Sequence, residues 1–451
     1  MSDSLVIFTL LIFALTTLFI MWRPRGINEA VPAFVGSGIL LLMGIVPLSD
    51  VREILEIVSG PALTIISTII MCIVLETIGV FRWAAYNIIK RANGSGIKLF
   101  WYIIILCFLM TIFFNNDGSI LLTTPIIIHI VTMLKLTKKQ KFPYLFGGVF
   151  VATASSLPIG VSNIANLIGL QIVGLDLISY TNMVLVPSMI GICTLSLLIF
   201  LLFKKSIPKK VDSIQDESTA FIMSQQIPLL SKKAIGRQAI DVQLLKICLG
   251  IVILVRASYF ILTPLGINIE WIALVGAAIL IVIRWFKTRI GVYDIIKKAP
   301  WHILVFAFGM YVIVYALNNT GLPVILVEIL KEPMSQNLLY ASFLSGIMIT
   351  VLSNLMNNLP SVMLGVLMIT EMGLDIQTLQ FSYIAIIIGS DIGALLTPLG
   401  TLATLLWMYV LKRENIHVTW VQYLKVAIFV IPLTLFVTLL SLYLWVTLIY
   451  L

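Results

Sequence analysis

"TIFFNNDGSILLTTPI", residues 111–126, sets Asn115, Asn116 and Asp117 between two long apolar stretches. An acidic side chain at the centre of a bilayer costs about 2.5–3.5 kcal/mol on insertion scales, so the stretch needs a reason to exist. Its flanks supply the geometry. Lys98 precedes it and Lys135 follows it. Basic loops stay on the cytosolic face, so a segment with lysines at both ends enters and leaves on one side. Residues 98–134 therefore read as a re-entrant hairpin with Asn115–Asp117 at the tip.

The rest of the chain fits that setting. Of its 451 residues 60% are hydrophobic and 11% charged, against about 25% charged in soluble domains. The composition predicts an all-α polytopic membrane protein with about ten transmembrane helices, two re-entrant hairpins and two broken helices. The first apolar run, Ser4 to Trp22, has no basic leader and no small-residue cleavage site before Arg23, so it reads as a retained span. The net charge of +9 does not point to nucleic acid, because the basic residues sit in short loops between spans. Cys72, Cys107, Cys193 and Cys248 fall one per apolar segment with no CxxC pair, and read as small buried hydrophobes. His129, His302 and His417 have no metal-ligand spacing, so neither a metal nor a cofactor is expected. No HExxH or GxSxG motif occurs, and no histidine lies near a serine or acid motif, which speaks against an intramembrane hydrolase.

Charge orients the spans. Loops with Arg23 and Arg25, Lys138 and Lys139, Lys297 and Lys298, and Lys412 and Arg413 are expected on the cytosolic side. The opposite loops hold Asp50, Glu53, Glu56, Asp176, Glu270, Glu328, Glu332, Glu371 and Asp375, with only Arg52 and Lys331 as cations. Residues 204–241 form the one sizeable linker, expected to be a flexible cytosolic tether, and both termini are expected outside. A second hairpin, 336–373, is flanked by Glu332 and Glu371 and so dips in from outside.

The halves repeat. "ETIG" (76–79) matches "NNTG" (318–321), and "NNDGS" (115–119) matches "NNLPS" (357–361), both at an offset of 242. "AFVGSGILLL" (33–42) aligns with "ALVGAAILIV" (273–282) at 240, and "VSNIANLI" (161–168) with "GTLATLLW" (400–407) at 239. Five crossings and one hairpin per half force the second half to start from the opposite side. Residues 1–203 and 242–451 are thus expected to be inverted-topology repeats, the mark of a secondary transporter with its site at the midplane. That arrangement suits alternating access better than a channel.

Two stretches look like interrupted helices at equivalent places, 143–174 around "SSLPIGVSNIAN" and 380–411 around "GSDIGALLTPLGT". Proline removes a backbone donor, and irregular backbone at membrane depth is tolerated where it lines a cavity. The candidate substrate-binding residues are the hairpin tips, Asn115, Asn116, Asp117, Asn357 and Asn358, with Ser162, Asn163, Asn166, Thr397 and Thr401 from the breaks. All acids except Glu76, Asp117 and Asp391 fall in loops or at chain ends, so these three are the candidate proton-coupling groups. Asp391 is preferred over Asp117, because Leu359 replaces the latter in the second repeat. Arg256 is the one cation well inside a span, and pairing with an acid is its plain structural reading.

Over essentially the whole length these residues resemble the bacterial arsenite/antimonite efflux permeases, the ArsB family of the ion-transporter superfamily. "NNDGSILLTTPI" (115–126), "SLPIGVSNIANLI" (156–168), "NNLPSVM" (357–363) and "DIGALLTPLGTLATLLW" (391–407) carry the likeness. The resemblance implies export of trivalent arsenic and antimony hydroxides from the bacterial plasma membrane, driven by inward proton flow, with a cytosolic ATPase subunit in some members. Arsenous acid is a neutral trihydroxy species, which hydroxyls, amides and open backbone can cradle. Several convergent thiolates would hold arsenic(III) too tightly to release it. Ser390 stands where the family commonly has cysteine. The nearest rival is a sodium/proton antiporter of the NhaD type, since paired tips and intramembrane acids suit Na⁺ as well. A dicarboxylate carrier shares the architecture but carries Ser-Asn-Thr at its tips, absent at 115–117 and 357–359.

Overall fold

The computed structural model describes residues 3–211, 241–288 and 291–450, and all regular elements among them are helical. The first half runs α1 (Asp3–Trp22), α2 (Ala30–Leu42), α3 (Leu48–Ile78), α4 (Val80–Ala92), α5 (Gly96–Phe113), α6 (Asn116–Met133), α7 (Lys138–Ala154), α8 (Ile164–Val173) and α9 (Leu177–Phe203). The second runs α10 (Val242–Leu262), α11 (Ile269–Thr288), α12 (Tyr293–Lys298), α13 (His302–Asn318), α14 (Leu322–Gln336) and α15 (Leu338–Met356). It closes with α16 (Asn358–Glu371), α17 (Ile376–Asp391), α18 (Leu402–Arg413) and α19 (Trp420–Tyr450). The two series match element for element, except that α3 is continuous through Pro61 while its counterpart splits into α12 and α13 at Pro300.

Among the described residues ten helices are long and apolar enough to cross a membrane, so the protein is a multi-pass membrane protein. Lipid offers no hydrogen bonds to a backbone, which leaves helices to satisfy themselves and requires caps where they end. Loop acids supply several caps. Asp176 accepts from the amides of Ile178 (3.0 Å) and Ser179 (2.9 Å) to open α9. Asp375 accepts from the Thr378 amide at 2.9 Å to open α17, and hydrogen bonds from the Thr378 side chain and then its amide hold the carboxyl below the usual carboxylate range.

The packing is reciprocal between the halves. α2 lies on α13, and their counterparts α11 and α3 lie on each other. α6 packs on α18 just as α16 packs on α8, and α9 packs on its own counterpart α19. Each half thus contributes to the same interior, where broken helices and hairpins meet. The close approach of α15 and α17 depends on Gly389, where a Cβ would meet the Gly346 carbonyl.

Two expectations need correction here. Residues 212–240 of the expected tether lie outside the described residues, but its start is not free: the Val211 amide donates to the Gly94 carbonyl at 2.9 Å, and Ile207 is buried. Cys72, Cys107 and Cys248 are buried as expected, whereas Cys193 is exposed on the outer face of α9.

Both ends of the first hairpin sit together. The Tyr144 hydroxyl, near the start of α7, donates to the Gly96 carbonyl at the start of α5 (3.1 Å), which brings the Lys98 and Lys139 ends of their helices to one end of the molecule. The Glu371 end of the other hairpin is tied to α13, whose last residue, Asn318, donates its amide to the Glu371 carboxylate. Single cysteines placed at Lys98 and Lys139 in a protein lacking Cys193 should label from the cytosol, and ones at Glu332 and Glu371 from outside. Opposite-side labelling within either pair would turn that hairpin into two full crossings.

Candidate functional site

Each break is built from its own sequence. α7 stops at Ala154 because the Ser155 and Ser156 hydroxyls fold back on the carbonyls of Val151 and Thr153, and Pro158 brings no amide. A single 3₁₀ turn, Gly160–Ser162, leads to Asn163, whose side-chain oxygen accepts from the Ala165 amide (3.1 Å) to start α8. In the second break α17 stops at Asp391, a 3₁₀ turn covers Gly393–Leu396, and Thr401 accepts from the Thr404 amide (3.0 Å) to start α18.

Tyrosines satisfy the carbonyls exposed by the breaks. The Tyr180 hydroxyl donates to Leu157 at 2.8 Å, and at the corresponding place Tyr423 donates to Leu395 at 2.9 Å. Asn354 secures the second break from α15. Its amide donates to Gly393 O (2.9 Å) and its oxygen accepts from the Thr397 amide (2.7 Å).

The hairpin tips are held differently. Asn115 accepts from the Gly118 amide at 3.1 Å and caps α6, in space that only a glycine at 118 leaves open. Asn357 takes φ of 77° and ψ of 155°, a backbone region used almost only by glycine, and donates to Leu399 O at 3.2 Å. Arg256 pairs with no acid among the described residues; instead it is buried and donates to the carbonyls of Phe113 (2.9 Å) and Phe114, the open C-terminal end of α5, with Tyr259 stacked 5.3 Å away. A cation there complements the negative end of the helix dipole.

Asp391 joins the halves. Fully buried at 0% exposure, it accepts from the amides of Asn163 and Asn166, each at 2.8 Å, and its second oxygen stands 2.7 Å from the Ser156 hydroxyl. That hydroxyl is also 2.7 Å from the Thr153 carbonyl and has one proton, so it serves one acceptor at a time. The Tyr383 hydroxyl donates to Asn166 O at 2.6 Å, locking the same strand of chain.

Beside this junction lies a cavity of about 180 Å³. Four helix N-termini open onto it: α6 with Asn116 and Asp117, α8 with Asn163, α16 with Asn358, and α18 with Thr401. The facing wall holds Glu29, His302, Ile69 and Phe306. Of the sequence-derived candidates, Asn116, Asp117, Asn163, Asn358 and Thr401 line the cavity; Asn115, Ser162, Asn166, Asn357 and Asp391 are buried but outside its lining, and half-buried Thr397 is outside it too. Glu76 stands apart. It lines an adjoining cavity of about 210 Å³ with Cys72 and Lys298, and one of its oxygens has no hydrogen-bond partner.

Sequence reasoning missed Glu29 and His302. Glu29 looked like a loop acid among cytosolic arginines, but it reaches Arg23 at 2.9 Å and His302 at 3.5 Å and turns its carboxylate into the cavity. Burial works to raise its pKa, yet the His302 hydrogen bond and the Arg23 guanidinium outweigh burial and hold it below the usual carboxylate range. The signal was available, because Glu270 occupies the corresponding place at the start of α11, an offset of 241. Among the described residues no cluster of three or more His, Cys, Asp or Glu side chains could hold a metal ion.

Three comparisons bear on this arrangement. Residues 8–446 match the family described as arsenical pump membrane protein, ArsB. A putative arsenical pump membrane protein of Bacillus subtilis (strain 168) is 46% identical over 438 residues, covering 97% of this chain and 99% of that one. An arsenical pump membrane protein of Escherichia coli is 33% identical over 434 residues, covering 96% and 97%. Among solved structures, the YdaH transporter of Alcanivorax borkumensis, described as having an unusual topology, superposes with a TM-score of 0.54 at 13% identity over 96% of this chain and 98% of that one, a likeness of fold.

The junction makes a specific forecast. Asp391→Ala leaves the Asn163 and Asn166 amides without an acceptor, at about 1–3 kcal/mol for each buried donor, while the Ser156 hydroxyl keeps the Thr153 carbonyl. Asp391→Asn should fold better, because Asn166 has an unpartnered oxygen and can turn its amide to receive the new N–H. Thermal unfolding of the purified proteins in detergent checks this: Asp391→Ala should melt well below Asp391→Asn, and equal midpoints would remove Asp391 from its structural role.

Proposed function

This chain belongs to the arsenical pump membrane protein family, ArsB, and from that premise we propose that it exports uncharged arsenic(III) and antimony(III) hydroxides across the bacterial plasma membrane in exchange for protons. Membership makes it a membrane transporter and not an enzyme. One observation supports the finer reading most directly: Asp117 stands at the wall of a small cavity ringed by amide and hydroxyl side chains at four helix N-termini.

The chemistry follows from those groups. A trihydroxide has three donors and several acceptor oxygens. Amide N–H groups at the helix starts suit its oxygens, and the side-chain oxygens of Asp117, Asn116, Asn358 and Thr401 suit its hydroxyl protons. A neutral solute gains nothing from the membrane potential, so uphill export needs a coupled ion. Asp117 faces the cavity and can exchange a proton with water there, whereas Asp391 is committed to the junction. The carrier is therefore Asp117 in this reading, reversing the order of preference that the sequence suggested. Glu76 lies beside the path, in the adjoining cavity.

The halves, 1–203 and 242–451, are inverted repeats in this proposal, with hairpins 98–134 and 336–373 re-entering from opposite faces. Their reciprocal packing is what such a two-fold relation requires. The four cysteines lie on different helices, α3, α5, α9 and α10, so the reading places no thiol triad around arsenic. No ATPase subunit is needed to supply the energy.

A sodium/proton antiporter is the second reading, favoured by the two carboxylates, Asp117 and Glu29, on one cavity. Proteoliposomes holding this chain alone and an internal pH dye separate the two. Arsenite should drive proton movement, Na⁺ should not, and Asp117→Asn should abolish coupled movement while the protein still inserts. Proton movement driven by Na⁺ and not by arsenite would replace the arsenite reading with the antiporter.

A further inference from the structure

We propose that Glu29 contacts the substrate and, with Asp117, sets the selectivity of the cavity for an uncharged hydroxide over oxyanions. The inference deepens the transport reading and rests on it.

A helix N-terminus carries the equivalent of about half a positive charge, and four of them point at one small space. Left alone, such a site would attract anions. It is not left alone. Asp117 sits in the first turn of α6, Asp391 lies behind the breaks, and Glu29 faces them across the cavity. No lysine or arginine side chain is among those that line it. The protein's own carboxylates occupy the field that an oxyanion would need.

Glu29 is built to stay in place. Its carboxyl is only 13% exposed; one oxygen pairs with Arg23 behind it and the other leans on His302. A carboxylate has about four acceptor positions, and these two contacts leave others free. The free positions face the same volume as Asp117, so a trihydroxide between the walls donates one hydroxyl to each carboxylate. Its third hydroxyl reaches an oxygen on Asn358 or Thr401. An oxyanion offers fewer hydroxyl donors, and it would bring like charge beside two carboxylates.

The guanidinium behind Glu29 makes the loss of its charge informative. Glu29→Gln leaves Arg23 without its anion, beside four helix N-termini. The cavity then turns attractive to negative charge. Replacing one carboxylate thus weakens the neutral hydroxide and admits the anion.

Arsenite uptake into everted vesicles tests this, with inorganic phosphate as the competing anion. Glu29→Gln should raise KM for arsenite about tenfold, the loss expected of one charge-assisted hydrogen bond. Its maximal rate should stay within about twofold, since the contact is made in the ground state as well. Phosphate should inhibit the variant competitively and leave the parent protein untouched. Glu29→Asp keeps the charge on a shorter arm, so it should raise KM while still excluding phosphate; it carries the test if Glu29→Gln fails to accumulate. A parent-like KM in both variants, a raised KM without phosphate inhibition of Glu29→Gln, or loss of both proteins from the membrane would each overturn the assignment, the last by making Glu29 a structural partner of Arg23. The parent protein separates the two readings. If it moves no arsenite, the transport reading fails; if it does and the variants match it, only the role of Glu29 fails.

Discussion

One buried carboxylate holds the interior together. Asp391 ends a helix from the second half and receives the side chains of Ser156, Asn163 and Asn166 from the break in the first. Such a group is costly away from water unless its lone pairs are filled, and here donors fill them. The consequence reaches the cavity, because Asn163 starts α8 and lines the space beside Asp117. With Asp391 in place the irregular backbone at both breaks has partners. Without it, helix ends facing one another inside the membrane would hold unpaired donors.

The halves share an architecture but not a chemistry. Corresponding tyrosines, Tyr180 and Tyr423, close the two breaks in the same way. The tips diverge: Asp117 has Leu359 as its counterpart, and Arg256 secures only the first tip, from α10. The loop acids diverge too. Glu29 lines the central cavity, whereas Glu270 lines a separate cavity of about 420 Å³ with Glu56 and Asp176 at the far ends of α3 and α8. A carrier needs a functional group that is reached from one side at a time, and an asymmetric tip inside a symmetric frame provides it.

Much of this was legible in the sequence because the membrane restricts the choices. Apolar length gave the helices, and proline with clustered polar residues gave the breaks around Pro158 and Pro398. Which candidates line the cavity was not legible. Asn115 and Asn116 are neighbours with the same side chain, yet one caps its helix and the other faces the open space. That difference is set by the turn at the tip, not by residue type. The partners of Arg256 were not legible because a pattern of charges shows cations and anions but not the bare carbonyls at the end of a helix. Glu29 was passed over because a loop acid beside arginines has a sufficient local explanation. Only packing shows that its carboxylate faces α6.

The central claim is that Asp117 gives up a proton when the substrate occupies the cavity. Infrared difference spectra of the reconstituted protein, recorded with and without arsenite, observe that event directly. The account predicts that arsenite removes one protonated-carboxyl band, and that the band is missing from Asp117→Asn but present in Glu29→Gln. A spectrum in which arsenite changes no carboxyl band, or in which the change persists in Asp117→Asn, would contradict it.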